Sequence, residues 1–308
     1  MSLNVSALAD FNNQTAGELL LKSVYAGSTM EYVTIKEGIK FQEPINLFEV
    51  SLYVADGYGC QSTESGSLIA SQRNITVCGR TSVDGICLKD MDRKYLGISA
   101  LERGSYNETF ALATQYGELL VNQFQKSNDQ FIWSATTASG ACVNGLRTII
   151  SSSTAGVVVP GSGVSAISSS NALAQVDLLI ENLSSDVADR DDLTVFMSVT
   201  NFKKYVVGVR SANNYFFDPN SITNRGGVLD MMHPFSNVRV VGTVGLQGSE
   251  RVVCGPAKQI VVGMDSMSDT TEFQLWYDIN TDKLKHRIAT KLGVNIAFPE
   301  FWTTNNLA

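Results

Sequence analysis

The C-terminal stretch 276–300, WYDINTDKLKHRIATKLGVNIAFPE, alternates apolar and polar side chains with a period of two. The apolar members of this pattern are the even-numbered residues Ile288, Leu292, Val294, Ile296 and Phe298. The polar members are the odd-numbered residues Lys285, Arg287, Lys291 and Asn295. A period of two is that of a β-strand with one buried face, because successive side chains point to opposite faces of a sheet. The stretch therefore predicts a long, half-buried strand.

A shorter alternating run lies just before it. Apolar residues fill alternate positions from 273 to 279, and the turn formers at 280–282 separate this run from the longer one. Two alternating runs joined by a short polar turn are typical of an antiparallel hairpin. The end of the chain is therefore predicted to be a hairpin with one face on a core.

Helices are predicted in the middle of the chain. Ser105 and Glu108 have the Ser-x-x-Glu spacing of a capping box, and apolar residues at helical spacing continue to about Lys126. A second helical run covers 173–187, and after the strand-like segment LTVFMS a third helix is expected from about Asn201 to Val209. Because helices and strands are mixed without a regular βαβ repeat, the predicted class is α+β.

Other segments have little to bury within one subunit. Residues 1–44 have only weak periodicity and predict an extended arm. Strand-like composition at 45–54 and 71–77, with the Gly- and Ser-rich DGYGCQSTESGS between them, predicts a β excursion that ends in a loop. Residues 151–170 are rich in Ser and Gly and predict a long loop at a domain boundary.

The composition argues against several classes of protein. The 308-residue chain has 23 Lys+Arg against 30 Asp+Glu, and a net charge of −7 is unlike that of a dedicated nucleic-acid binder. Its apolar runs are too short to span a membrane. Five cysteines without a CxxC pair, and a start without a signal-peptide pattern, predict a reduced, cytoplasmic protein whose cysteines are buried apolar side chains.

One motif imitates a dinucleotide-binding loop. Gly161, Gly163 and Ala166 have GxGxxA spacing after an apolar run, and Glu181 follows at the distance of a ribose ligand. Pro160 and the serine run 168–170 disfavour this interpretation, because the first interrupts the entry to the turn and the second interrupts the helix that should follow. An NAD(P)-binding oxidoreductase that uses the 161–166 loop is thus a minor alternative.

The remaining candidate residues predict no chemistry. His233 and His286 lie in no catalytic or zinc-binding motif, so both are expected to be structural. The acids Asp186, Asp189, Asp191 and Asp192 lack the glycine and final glutamate of a calcium loop and predict a solvated helix end. The sequence also lacks the Gly-Lys-Ser/Thr of a P-loop. We therefore expect no catalytic, cofactor-binding or metal-binding residues, and no cofactor.

The order of these elements resembles that of the major capsid proteins of tailed double-stranded DNA phages. Residues 71–97, SQRNITVCGRTSVDGICLKDMDRKYLG, are similar to the segment before the spine helix in capsid proteins of phages that infect Bacteroidetes. Residues 258–300 are similar to the family's closing pattern, in which a GxD turn precedes a WYD strand and the ending reads GVxxAFPE.

The resemblance implies an HK97-like major capsid fold of class α+β. It places an N-terminal arm at 1–44, an extended β loop (E-loop) at 45–100, and the spine helix with the first part of the peripheral domain at 101–150. An axial domain is implied at 151–255, and the C-terminal β strands of the peripheral domain at 256–308.

The resemblance also implies a structural subunit, not an enzyme, that self-assembles through pentamers and hexamers into an icosahedral head shell around double-stranded DNA. The implied partners are further copies of the chain, a portal, and scaffold or decoration proteins. The resemblance implies that the packaged DNA is a partner only by non-specific proximity, and it implies no membrane partner. The implied location is the virion, after assembly in the host cytoplasm.

Two departures from the family limit what carries over. A fused scaffolding domain does not fit before residue 45, and the segment from Ile45 to Ser71 has no lysine for a covalent crosslink. An encapsulin-like compartment shell protein is an alternative on the same fold.

Overall fold

The computed structural model describes residues 29–51, 67–87, 108–212, 223–225, 228–234, 236–265, 274–278, 280–281 and 283–307. The helices within them are α1 (Glu108–Ser134), α2 (Leu146–Ile149), α3 (Ala172–Glu181) and α4 (Val199–Ala212). The strands are β1 (Thr34–Lys36), β2 (Gln42–Ser51), β3 (Ser67–Thr76), β4 (Cys78–Cys87), β5 (Leu193–Ser198), β6 (Thr223–Arg225), β7 (Val228–Met232), β8 (Arg239–Thr243), β9 (Val253–Pro256), β10 (Ile260–Met264), β11 (Gln274–Asp278), β12 (Lys283–Ile296) and β13 (Thr303–Thr304). They form three sheets.

The first sheet is built around the long strand β12. The order of its hydrogen-bonded strands is β1-β10-β12-β11, and β4 pairs with β12 as a further neighbour outside this order. Strand β11 pairs antiparallel with β12, with Gln274 opposite Arg287, so the predicted C-terminal hairpin is confirmed. Strand β4 pairs with β12 from Lys283 to Leu292, and β10 pairs with the rest of β12 up to Ile296.

The alternation along β12 also separates a buried face from an outer face. The predicted core residues Ile288, Leu292, Val294 and Ile296 are at most 5% exposed. His286 and Thr290 share this face and are buried as well, although they are polar. Arg287 and Lys283 on the outer face are exposed. The half-buried strand is therefore confirmed.

Helix α1 lies against the buried face of this sheet. It has 27 residues, so it is about 40 Å long. It continues to Ser134, well past the predicted end at about Lys126. Asn128 and Asp129 are weak helix formers, but tertiary contacts hold both of them in the helix. Arg80 donates one hydrogen bond to the side chain of Asn128, and Asp129 accepts three from other segments. Ser105, the predicted N-cap, lies outside the described residues.

The second sheet has the order β13-β9-β5-β8-β7-β6. Its central strand β5 is the predicted LTVFMS segment and is buried along its whole length. One face packs against α3 and α4 through residues such as Val176, Phe202 and Tyr205. Helix α3 ends at Glu181 and a separate 3-10 turn covers Ser185–Val187, so the predicted helix over 173–187 is broken.

The other face of the second sheet shares one core with the first sheet. Phe196 and Val241 of the second sheet belong to the same buried cluster as Trp133 of α1 and Leu292 and Ile296 of β12. The segment before β2 takes part too, because Met30 is buried in this cluster and β1 pairs parallel with β10. The two sheets are thus joined by α1 and a common core.

Two of the cysteines form a disulfide, which contradicts the prediction that all of them are reduced. Cys78 at the start of β4 is bonded to Cys142 in the loop after α1, with Cα atoms 6.2 Å apart. The pair is separated by 64 residues, so its spacing gave no local signal. Cys254 is a free, buried thiol as predicted, and burial raises its pKa to about 12.

Candidate assembly surfaces

The 161–166 loop does not have the geometry of a dinucleotide-binding turn. The backbone N–H of Ser165 donates to Gln175 Oε1 at 2.9 Å, and Gln175 Nε2 donates to the carbonyl of Gly163 at 2.8 Å. Helix α3 begins only at Ala172, and within the described chain the loop is preceded by an isolated bridge at Val158 rather than a strand. The loop is closed on its own helix, so it offers no set of backbone amides to a pyrophosphate.

The two histidines are packed and hydrogen-bonded. His233 Nε2 lies 2.8 Å from Asp177 Oδ1, and its Nδ1 lies 2.8 Å from the hydroxyl of Tyr205. His286 is 2% exposed, near the hydroxyl of Ser82, and burial lowers its pKa. His233 is held by two side-chain hydrogen bonds and His286 is almost fully buried, so both have the environment of structural histidines.

The acidic segment 186–192 forms a local ion pair. Arg190 donates to both carboxylate oxygens of Asp192 at 2.7 and 2.8 Å, and these bonds lower the pKa of Asp192. Asp192 is buried, so the predicted solvated helix end is wrong at this residue: the arginine replaces solvent. Among the residues that the structure describes, no group of three His, Cys, Asp or Glu could hold a metal ion.

The most distinctive surface is the hairpin of β2 and β3, which forms a sheet of its own. Its residues pair from Gln42 opposite Thr76 to Ser51 opposite Ser67. Phe48 lies opposite Ala70 and Val50 opposite Leu68, so these four side chains share one face. Phe48, Val50 and Leu68 are 65%, 68% and 67% exposed. We call this four-residue surface the hairpin patch.

The base of the hairpin is fixed to the first sheet. Ile39, Ile75 and Val77 form a small buried cluster there. Gly263 makes room for this cluster, because a β carbon there would lie 2.9 Å from the side chains of Ile39 and Ile75. Its partner Gly293 lets the hairpin backbone approach, because a β carbon there would collide with the carbonyl oxygen of Thr76. The hairpin is therefore rigidly placed at its base, while the hairpin patch faces solvent.

The outer face of the first sheet carries basic residues that are paired. Lys285 Nζ lies 2.5 Å from Asp278 Oδ2, and this contact holds the pKa of Asp278 at about 2. Lys291 forms an ion pair with the buried Asp265. Val83 is 63% exposed on the same face, opposite Arg287. The paired charges argue against a surface dedicated to nucleic-acid phosphates.

A buried hydrogen-bond hub joins three distant segments. Asp129 of α1 accepts from the backbone N–H and the hydroxyl of Thr29 through Oδ1, and from the backbone N–H of Gly245 through Oδ2. Trp133 Nε1 in turn donates to the hydroxyl of Thr29 at 2.7 Å. The hub fixes α1 against the start of the described chain and against the loop after β8.

Comparison with known proteins gives information on the fold. No protein-family model matches the sequence, and no curated protein matches it either. Solved structures do match nearly the whole chain. A chain of the satellite phage P4 procapsid, in a structure that includes the size determination (Sid) protein, matches with a TM-score of 0.57 and 10% identity over 93% of this chain and 89% of that chain.

Two further solved structures match nearly the whole chain at low sequence identity. The capsid of Myoviridae phage XM1 has a TM-score of 0.53, with 11% identity over 92% of this chain and 90% of its own. A virus-like particle from Pyrococcus furiosus has a TM-score of 0.51, with 14% identity over 94% and 98% of the two chains. The chain therefore has the fold of phage capsid proteins, and the predicted HK97-like class is confirmed.

Proposed function

We propose that this chain is a structural subunit that assembles with copies of itself into an icosahedral shell around phage double-stranded DNA. The hairpin patch is the observation that carries the proposal. Contiguous exposed apolar surface on a rigid projection typically marks a protein–protein interface. A second copy of the chain would bury this patch, as permanent assemblies do over large areas.

The fold neighbours support self-assembly as the use of this surface. The matched chains come from a procapsid, a capsid and a virus-like particle, all of them assembled objects. We infer pentamers and hexamers as the building units, since closed rings satisfy repeated head-to-tail contacts. The hairpin then corresponds to the E-loop within 45–100, and α1 to the spine helix within 101–150.

The remaining divisions and partners are part of the same proposal. The predicted arm at 1–44 overlaps β1 and the start of β2, so its last part belongs to the sheets. We assign 151–255 to the axial domain and 256–308 to the last strands of the peripheral domain. A portal and scaffold or decoration proteins are further partners, and assembly takes place in the host cytoplasm. We propose phages of Bacteroidetes as relatives, on the resemblance of residues 71–97 to their capsid proteins, and the resemblance of 258–300 to the family's closing pattern agrees with membership of the wider family.

An encapsulin-like compartment is the second candidate. The observation that favours it is the match to a virus-like particle from Pyrococcus furiosus, an assembled particle that is not named as a phage capsid and of which 98% of the chain is covered. The two candidates differ in content, because a phage head holds nucleic acid and a compartment holds protein.

Among the described helices none is long and apolar enough to cross a membrane.

Replacing Phe48 and Leu68 together with serine is expected to prevent assembly without unfolding the subunit. Burying a large apolar side chain contributes about 1.5–3 kcal/mol, and this contribution would be lost at every copy of the contact. Both side chains are mostly exposed in the subunit, so its free energy of unfolding should change by about 0.5 kcal/mol or less. Sedimentation velocity should show subunits or small oligomers in place of particles.

Glu49→Ser is the matched control, because Glu49 is exposed on the opposite face of the same hairpin. This variant should form particles at the parental yield. Normal particle yield from the double serine variant would mean that the hairpin patch is not an assembly surface.

A further inference from the structure

An open pocket of about 440 Å³ lies where the base of the hairpin meets the first sheet. Strand β3 contributes Arg73 and Asn74 to its wall, and β12 contributes Val294 and Asn295. Helix α2 and the loops on either side of it form the opposite wall. Asn295 donates to the carbonyl of Asn74 at 2.7 Å, which fixes this end of the pocket.

The pocket contains one charge and no counter-charge. Arg73 is the only charged residue in the lining, and the lining includes no acid. Within the described chain its guanidinium makes no hydrogen bond or ion pair, and only Glu300 acts on it through space. Burial lowers the pKa of Arg73 and outweighs the opposite effect of the nearby Glu300 carboxylate, so the cation has lost part of its hydration without full compensation from its own chain.

The polar groups around Arg73 are suited to an anion. Asn144 Oδ1 already accepts from the N–H and the hydroxyl of Thr137, which leaves the amide N–H donors of Asn144 for another group. Thr148 and Thr154 line the same space. Donors and a guanidinium without a carboxylate are the features of an anion site.

We propose that this pocket binds the carboxylate of an Asp or Glu side chain from a second copy of the chain. One guanidinium matches one carboxylate in a bidentate pair, whereas a doubly charged phosphate would need further cations that the lining lacks. The chain offers 30 acidic residues against 23 basic ones. The inference rests on the proposed self-assembly, and it requires that a neighbouring copy lies at the base of the hairpin.

Arg73→Gln particles should dissociate about tenfold faster than parental particles, because the loss of a partner from a desolvated charge pair acts mainly on dissociation. Lys40→Gln is the matched control, since it removes the same charge from an exposed position near the hairpin base outside the lining. Dissociation is followed by light scattering after dilution into denaturant. The isolated subunits of all three proteins are unfolded in urea in parallel.

Faster dissociation of Arg73→Gln alone, or failure of its folded subunits to assemble, would support the inference. Dissociation at the parental rate would overturn it, and so would an equal loss of stability in the isolated subunit, which would give Arg73 a role inside one chain. Calorimetric titration with inorganic phosphate tests the other source of an anion. Saturable, Arg73-dependent binding of phosphate to isolated subunits would also overturn it. Absence of particles from the parental chain would refute self-assembly itself.

Discussion

Ile296→Asp is expected to leave little folded subunit. Ile296 is fully buried at the end of β12, opposite Ile260 of β10, in the core shared by both sheets. Aspartate removes its packing and places an unpaired carboxylate in an apolar site, at a cost of about 3–5 kcal/mol or more. Domains are stable by only about 5–15 kcal/mol in total. Soluble yield and urea unfolding of the variant measure the effect.

The control for this change lies on the outer face of the same strand. Lys283 is exposed, and Lys283→Ser should change the free energy of unfolding by about 0.5 kcal/mol or less. Lys291 also lies on that face, but it is unsuitable because its removal would leave the buried Asp265 without its ion-pair partner. If Ile296→Asp and Lys283→Ser were equally well tolerated, β12 could not be a half-buried strand.

Asp129→Ala is expected to destabilise the subunit by about 3–5 kcal/mol, because hydrogen bonds to a charged group contribute about 1.5–3 kcal/mol each. The change would remove the acceptor of Thr29 and of the backbone N–H of Gly245, and both groups are buried with it. The connection between α1 and the loop after β8 would be lost at the same time. Thermal and urea unfolding of purified protein measure the loss.

Asp129→Asn distinguishes the effect of lost hydrogen bonds from the effect of lost side-chain volume, because asparagine has nearly the same volume as aspartate. Asparagine keeps one acceptor oxygen, so it should retain part of the hub and lose less stability than alanine. A stability of Asp129→Ala within about 0.5 kcal/mol of the parent would show that the hub does not hold the three segments together.

Strands β5, β11 and β12 were predictable because their signal is local. The period-two pattern of β12 identifies both the strand and its buried face, since one face of the sheet rests on a core. The polar turn at 280–282 identifies the hairpin with β11 in the same way. The fully apolar segment of β5 was likewise recognisable, as a short run bounded by polar residues.

Contacts between distant residues had no such signal. Asp129 and Thr29 are 100 residues apart, so the sequence offered no reason for Asp129 to remain helical inside α1. The disulfide between Cys78 and Cys142 was missed for the same reason. Local propensity predicted an early end of α1, and tertiary hydrogen bonds overrode it.

The hairpin patch shows a different limit of sequence patterns. Phe48 and Val50 were read correctly as part of a strand, but a strand pattern does not say whether its apolar side chains face the core or solvent. Only the register with β3, which brings Leu68 and Ala70 to the same face, identifies a surface. A role in assembly therefore depends on exposure, which the structure supplies and the pattern does not.

Electron microscopy of the purified chain tests the central claim most directly. The account predicts closed, uniform particles with five-fold vertices, and it predicts their loss in the variant with serine at both Phe48 and Leu68. Nuclease-protected DNA inside particles from infected cells would identify a phage head, and protein cargo would identify a compartment. A compact monomer that forms no particles at any protein concentration tested would contradict the account.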